Sequence, residues 1–254
     1  MFGGSLMRPE ATGYGCVYFT DEMLKYAGKD GFKDRICTVS GAGNVAIHTI
    51  EKLYKLGAKP VTCSDSRGTV YDSRGINLEL LKDIKLKRRA SLEDYCTIHT
   101  EAIYTKVEDY PDGGHEVWQI PCDCAFPCAT QNELTELDAK VLVENGCISV
   151  SEGANMPSTP EAIEIFQKNN ILFAPAKAAN AGGVAVSEFE MSQNASMQKW
   201  EHEKVDKLLE TTMRQIFKRV HLTAKEYGVS GNYVDGANIA GFKRVADAMI
   251  AEGI

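Results

Sequence analysis

A chain of 254 residues, 44% hydrophobic and 25% charged, has room for one large core or two small ones and the composition of an ordinary globular protein. Its formal net charge of −7 argues against a general nucleic-acid surface. No apolar run approaches the roughly 20 residues of a membrane span, and residues 1–8 lack a basic patch followed by an apolar stretch, so no secretory signal is expected.

Residues 8–15 open a helix with an apolar face of Cys16, Val17, Phe19, Met23 and Leu24, ending near Ala27 and Gly28. Residues 36–39 read as a short buried strand. Ser40-Gly41-Ala42-Gly43-Asn44-Val45-Ala46 then turns sharply, and residues 46–56 run on as an amphipathic helix. Residues 61–64 form a second strand that ends at Asp65, 22 residues past the second glycine of the turn. This is a βαβ unit with Gly-x-Gly-x-x-Ala at its first turn, and each part has a mechanical job. Gly41 permits the tight turn, Gly43 lets a pyrophosphate approach the backbone, and Ala46 lets the helix pack close to the strand. The helix N-terminus offers unpaired N–H groups to phosphate, and Asp65 sits where a carboxylate can accept from a ribose hydroxyl.

Residues 77–89 form another helix, capped by Asn77 and ending in Lys85, Lys87, Arg88 and Arg89. The stretch 91–114 is irregular and closes on the turn Pro111-Asp112-Gly113-Gly114, which leads into a strand over 116–120. Residues 121–129 are strand end and loop. A helix over 137–144, a buried strand over 146–150 and a loop over 152–159 follow. The helix at 160–168 starts with Pro160, whose missing N–H costs nothing there. Residues 171–173 are the last strand. A Gly-Gly turn runs into a helix over 178–194. A long helix over 200–227 carries Val205, Leu208, Leu209, Met213, Ile216, Phe217 and Val220 as apolar positions, and a helix over 237–252 closes the chain. This alternation predicts an α/β fold, a doubly wound, mostly parallel Rossmann-type sheet over residues 1–199, with C-terminal helices over 200–254 packed on it.

Cys16, Cys37, Cys63 and Cys147 lie inside apolar patterns, which suits buried thiols in a reducing, cytoplasmic setting. Cys122-x-Cys124-x₃-Cys128 is not a zinc spacing and no second pair follows, so no metal is expected. The five histidines (His48, His99, His115, His202, His221) are scattered, and none suggests a catalytic set.

Six strings stand together: Gly3 to Gly15, with Arg8-Pro9-Glu10-Ala11-Thr12 inside it; Ser40 to Ala46; Pro127-Cys128-Ala129-Thr130-Gln131-Asn132-Glu133-Leu134; Glu152-Gly153-Ala154-Asn155-Met156-Pro157-Ser158-Thr159; Lys177 to Val184; and Gly236 to Phe242. In this order they resemble the cofactor-binding half of the glutamate dehydrogenases, in particular the hexameric microbial and protist type, over essentially the whole chain. The resemblance implies reversible oxidative deamination of L-glutamate to 2-oxoglutarate and ammonia, with hydride passing to a nicotinamide. It implies cofactor contacts at Thr12, Gly41, Gly43, Asn44, Val45, Asp65, Ser66, Asn155 and Asn180, with Thr12 bonding the nicotinamide amide. It also implies a substrate slot lined by Val184, with Ser187 one helical turn on holding the glutamate side-chain carboxylate.

Each polar position has a plainer use: Thr12 or Ser187 bonding back to its own helix, Asn44 as a first-turn residue, Asn155 and Asn180 holding loops. Leucine- and phenylalanine-type dehydrogenases resemble the chain too, but look apolar at the Ser187 position, and a site without that donor rejects an acidic substrate. A non-catalytic nucleotide-binding module is the reading from another class.

The family's substrate domain, with the lysine that polarises the carbonyl, is absent from this sequence. The chain therefore reads as a fragment without catalytic residues of its own, from a parent expected to be a homohexamer. Cofactor choice pits Asp65, which favours NAD, against Ser64, Ser66, Arg67 and the cations at Lys82, Lys85, Lys87, Arg88 and Arg89, which can bond a 2′-phosphate. Ser-Asp-Ser-x-Gly resembles the NADP-using members, and NADP is the expected cofactor, with NAD the alternative.

Overall fold

In the computed structural model, which describes residues 3–253, the strands are β1 (Ile36–Val39), β2 (Lys59–Pro60), β3 (Thr62–Asp65), β4 (Gly68–Tyr71), β5 (Ile103–Lys106), β6 (Cys124–Phe126), β7 (Ser149–Ser151) and β8 (Leu172–Ala174). The helices are α1 (Ala11–Tyr26), α2 (Asn44–Lys55), α3 (Leu78–Lys82), α4 (Glu93–Ile98), α5 (Glu116–Gln119), α6 (Glu136–Glu144), α7 (Pro160–Lys168), α8 (Ala176–Ala179), α9 (Gly182–Ala195), α10 (His202–Glu226) and α11 (Tyr233–Glu252). The main sheet is parallel throughout, in the order β2-β1-β6-β7-β8, and a smaller antiparallel sheet runs β3-β4-β5.

Alternation along β6 divides the core: Cys124 and Phe126 face a cluster built with α1, α2 and α10, and Ala125 faces a second one with Trp118, Leu142, Val150 and Phe166. Helices thus cover both faces of the parallel sheet, as its buried strands require.

The expected strand over 61–64 is divided. Lys59 and Pro60 pair with β1, and the chain then turns away at Thr62. The Thr62 hydroxyl accepts from Val39 N at 2.9 Å and donates to Val39 O at 3.0 Å, taking the place of a backbone partner. That frees the backbone of 62–65 to pair with β4 and start the second sheet. The expected strand over 116–120 is instead the single turn α5. His115 Nδ1 caps it by accepting from Val117 N, and the turn buries Trp118. Strand-favouring side chains yield there to packing. The 91–114 stretch is more regular than expected, holding α4 and β5. Residues 121–129, read as a strand end, contain β6 at the centre of the sheet, fully buried.

Other elements match their local chemistry. Thr135 and Asp138 form a capping box on α6, and Thr159 caps α7 with Pro160 following. The 77–89 helix is α3, capped by Asn77, then a π-helical turn over Asp83–Arg88 that ends at Arg89 with φ 52°. α11 starts at Tyr233, four residues earlier than expected, because Asn232 caps it.

Helix α1 is the hub. A Cβ on Gly13 would stand 2.6 Å from Thr49 N of α2, and one on Gly182 of α9 would stand 2.2 Å from Ala11 O. Only glycine permits these backbone crossings. Lys52 of α2, almost buried, donates to Tyr18 Oη at 2.6 Å and to Asp206 of α10 at 3.1 Å, joining three helices at one cation.

Candidate functional site

The loops at the carboxyl ends of β1, β6, β7 and β8 part to form a crevice of two connected chambers, ≈ 560 and ≈ 810 Å³. Val45, Cys128, Ala129 and Thr130 line both. Such a crevice is where open α/β sheets bind ligands.

The wall after β1 is built by glycine. Gly41 has φ +85°, and a Cβ there would meet Cys128 O at 3.0 Å. Its N–H donates to Ser64 Oγ at 2.8 Å, and its carbonyl accepts from Ser64 N at 3.1 Å. Gly43 is the N-cap of α2 and offers no side chain to the helix's first N–H groups; a Cβ there would meet no atom within 4 Å. The helix N-terminus therefore faces open space with its donors uncapped, an arrangement suited to an anion. Ala46 behind it is fully buried.

The larger chamber ends at Asp65. Its Oδ1 accepts from Arg67 N at 3.0 Å, and its Oδ2 lies 2.9 Å from Lys85 Nζ. Both side chains are largely buried, at 17% and 22% exposure, so the carboxylate charge is compensated inside the chamber. The π-helical turn brings Lys85 there. Lys82 pairs with Glu51, Lys87 with Asp83 and Arg88 with Asp94, and Arg89 ends the helix. Of the five cations in the run, only Lys85 lines the chamber, beside Ser66. Ser64 lines the chamber too; it is nearly buried, and its Oγ accepts from Gly41 N, which leaves the hydroxyl proton able to donate. Val107, Tyr110 and His115 form the opposite wall, with the Tyr110 and His115 rings 4.8 Å apart. Burial drives the His115 pKa down to about 4, so the ring is neutral near pH 7.

The smaller chamber is lined by Arg8, Thr12, Asn155, Asn180, Gly183 and Val184 among others. The Thr12 hydroxyl has no hydrogen-bond partner among the described residues and stands where a Cβ on Gly183 would come within 2.5 Å. Asn180 Nδ2 donates to Asn155 Oδ1 at 2.9 Å, linking the loops after β7 and β8. Val184 is 74% exposed. Ser187 donates to Gly183 O at 3.0 Å within its own helix, the plainer of its two uses, and it does not line the chamber. Asn44 Nδ2 donates to Pro9 O at 2.5 Å, tying α2 to the segment before α1.

Two buried carboxylates escaped the sequence reading. Glu133 Oε1 accepts from Ala129 N at 2.9 Å and Thr130 N at 3.2 Å, pinning the loop common to both chambers. Its Oε2 is buried without a partner among the described residues, and burial raises the pKa to about 7. Glu152 accepts from Ser158 N and Ala176 N at 3.2 and 2.7 Å, holding the other two loops; burial raises its pKa as well. Both lie inside strings singled out from the sequence, but nothing local marks a glutamate as buried.

The profile of the Glutamate/Leucine/Phenylalanine/Valine dehydrogenase family matches residues 3–253. The chain is 57% identical over 253 residues to the NADP-specific glutamate dehydrogenase of Helicobacter pylori strain J99, covering all of this chain and 56% of that protein. It is 50% identical over 259 residues to the NADP-specific glutamate dehydrogenase of Escherichia coli K12, covering all of this chain and 55% of that one. A crystal structure of Plasmodium falciparum glutamate dehydrogenase superposes with a TM-score of 0.93 at 45% identity, over 99% of this chain and 53% of that one. The chain thus spans a little over half the length of the curated relatives it matches.

Proposed function

We propose, because this chain belongs to the glutamate/leucine/phenylalanine/valine dehydrogenase family, that it is the cofactor-binding half of an NADP-dependent glutamate dehydrogenase. Relatives named NADP-specific glutamate dehydrogenase support the reading. The single observation that carries it is the Lys85–Asp65 pair. An isolated carboxylate at the end of β3 would repel a 2′-phosphate. With Lys85 beside it the local charge is balanced, and a phosphate can bond the ammonium and the Ser66 hydroxyl together.

In this reading the pyrophosphate lies on the N-terminus of α2 between Gly41 and Gly43, with Asn44 and Val45 beside it. The adenosine ribose reaches Asp65 and Ser66. The nicotinamide enters the smaller chamber, its amide on Thr12 and its ribose side against Asn155 and Asn180. Glutamate meets Val184, and its side-chain carboxylate competes with the Gly183 carbonyl for the Ser187 hydroxyl. The hydride passes between the substrate Cα and the nicotinamide. The polarising and proton-moving groups belong to a separate substrate domain, and closure of the two halves excludes water. The division into a dinucleotide domain over 1–199 and C-terminal helices over 200–254 belongs to the same proposal, as does a homohexameric parent acting in the cytoplasm.

Calorimetric titration of the purified chain with NADP and NAD side by side tests the reading. Tight NADP and weak NAD binding is expected. The reverse preference would hand the ribose to Asp65 alone and overturn the NADP assignment.

A further inference from the structure

All eight cysteines are unpaired thiols, and four of them fall into two cross-strand pairs away from the crevice. Cys37 and Cys124 are register partners in β1 and β6. In β6 and β7 the register joins Cys124 to Ser149. Carried two residues toward the amino ends of the strands, the same register sets Cys122 beside Cys147. The ladder does continue there: Ile148 N donates to Asp123 O at 2.8 Å, and the Cys147 thiol to the same carbonyl at 3.6 Å. Neighbouring strands lie roughly 4.8 Å apart, within the roughly 4.4–6.8 Å Cα separation of disulfides.

The two pairs differ in chemistry. Cys37 and Cys124 are fully buried, and burial pushes the Cys37 thiol far above its ordinary pKa, which makes it a poor nucleophile. Cys122 and Cys147 keep 6% and 3% exposure. The Thr38 hydroxyl donates to Cys122 Sγ at 3.2 Å, and the Cys147 thiol points to backbone carbonyls, Ser149 O at 3.2 Å and Asp123 O at 3.6 Å. With the Cys147 thiol and the Thr38 hydroxyl beside it, the Cys122 thiol is held below its ordinary pKa despite burial, while the Cys147 thiol is pushed well above its own, so Cys122 is the thiol of the pair suited to react first.

We propose that Cys122 and Cys147 are a site of reversible oxidative modification, closing to a disulfide on exposure to hydrogen peroxide. The Cys122 thiolate attacks one peroxide oxygen; the O–O bond breaks, hydroxide leaves, and Cys122 becomes a sulfenic acid. The Cys147 sulfur then attacks Cys122 Sγ, the S–S bond forms, and the sulfenic oxygen leaves as hydroxide. The protons of the two thiols convert both hydroxides to water. Two thiols and one peroxide give one disulfide and two waters. The new bond closes a loop over residues 122–147 that contains β6, the shared wall of the crevice, Glu133 and α6. It constrains the unfolded chain and raises the thermal midpoint.

The test treats the purified full chain with hydrogen peroxide, alkylates the remaining thiols in denaturant and maps the unreduced peptides by mass spectrometry. The expected result is loss of two hydrogen atoms, a peptide joining Cys122 to Cys147 that dithiothreitol releases, and free Cys37 and Cys124. The thermal midpoint should rise by several degrees over the reduced chain. In Cys147→Ser, dimedone should trap a sulfenic acid at Cys122. Recovery of Cys122 and Cys147 as alkylated thiols after the half-exposed Cys96 has oxidised would overturn the proposal. So would a crosslink confined to other cysteines, or Cys122 driven to a sulfinic acid beside a free Cys147.

Discussion

The balance of charge at Asp65 rests on one side chain, so cofactor choice should turn on it. In the proposed site, replacing Lys85 with methionine removes a charge-assisted bond worth about 1.5–3 kcal/mol and would leave the carboxylate facing the 2′-phosphate. NADP affinity should fall by about 10- to 100-fold while NAD affinity holds or rises, as read by paired titrations of variant and parent chain. Glu133 and His115 make opposite demands on pH. The folded chain holds the Glu133 proton up to about pH 7, against an ordinary carboxylate value near 4.3. Its contribution to stability is therefore whole below the ordinary value and is lost as pH rises to about 7. His115 is depressed to about 4. Its contribution is present above its ordinary value, about 6.5, and is lost as pH falls toward 4. Glu133→Gln keeps an oxygen for Ala129 N and Thr130 N and cannot ionise. It should match the parent chain near pH 4.5 and exceed it at pH 8 by on the order of 2–3 kcal/mol in urea denaturation. An unchanged pH profile in that variant would mean Glu133 does not titrate in this window.

At the scale of elements, α10 is joined to the Rossmann helices by a nearly buried cation. Lys52 sits over the Tyr14 and Tyr18 rings, at 4.0 and 4.5 Å, as well as bonding Asp206. Asp206→Ala strands that cation, and a loss of about 2–4 kcal/mol is expected; Lys52→Met in the same chain should restore part of it, since the apolar stem still packs. Equal losses in the single and double variants would count against the coupling. The elements also separate what the sequence made legible from what it did not. The βαβ unit could be read because Gly41, Gly43, Ala46 and Asp65 each answer a local demand of the turn. The second sheet could not, because it depends on the Thr62 hydroxyl replacing a backbone partner, and hydroxyls leave no periodic trace. α5 was hidden by a strand-like composition, and the Lys85 contact by a π-helical turn that rotates one lysine out of a run of similar cations. Ser187 and Asn44 both make hydrogen bonds to nearby backbone carbonyls that no spacing rule could choose over a ligand.

For the whole molecule the expectation is binding without turnover. In the proposed reading the crevice holds every element the cofactor needs, and the groups that would polarise a carbonyl are assigned to a substrate domain outside this chain. Purified chain with saturating NADP and glutamate should show no NADPH absorbance above a blank, while the cofactor titration shows binding. Deamination by the chain alone, free of contaminating host enzyme, would refute this division of labour.

The backbone crossing of α1 and α9 has a consequence for anyone redesigning the protein. Gly182 lies against the Ala11 carbonyl, and Gly183 lies under the Thr12 hydroxyl, so at these two positions α9 has no side chain to act as a shim. A library at Val184 or Ser187 can therefore exchange side-chain volume, but it cannot tilt α9 without dragging Thr12 along. New substrates that fit by shape alone should be reachable. If the proposed site assignment holds, those that demand a wider slot should arrive with a displaced nicotinamide, and the two selectivities would have to be evolved together.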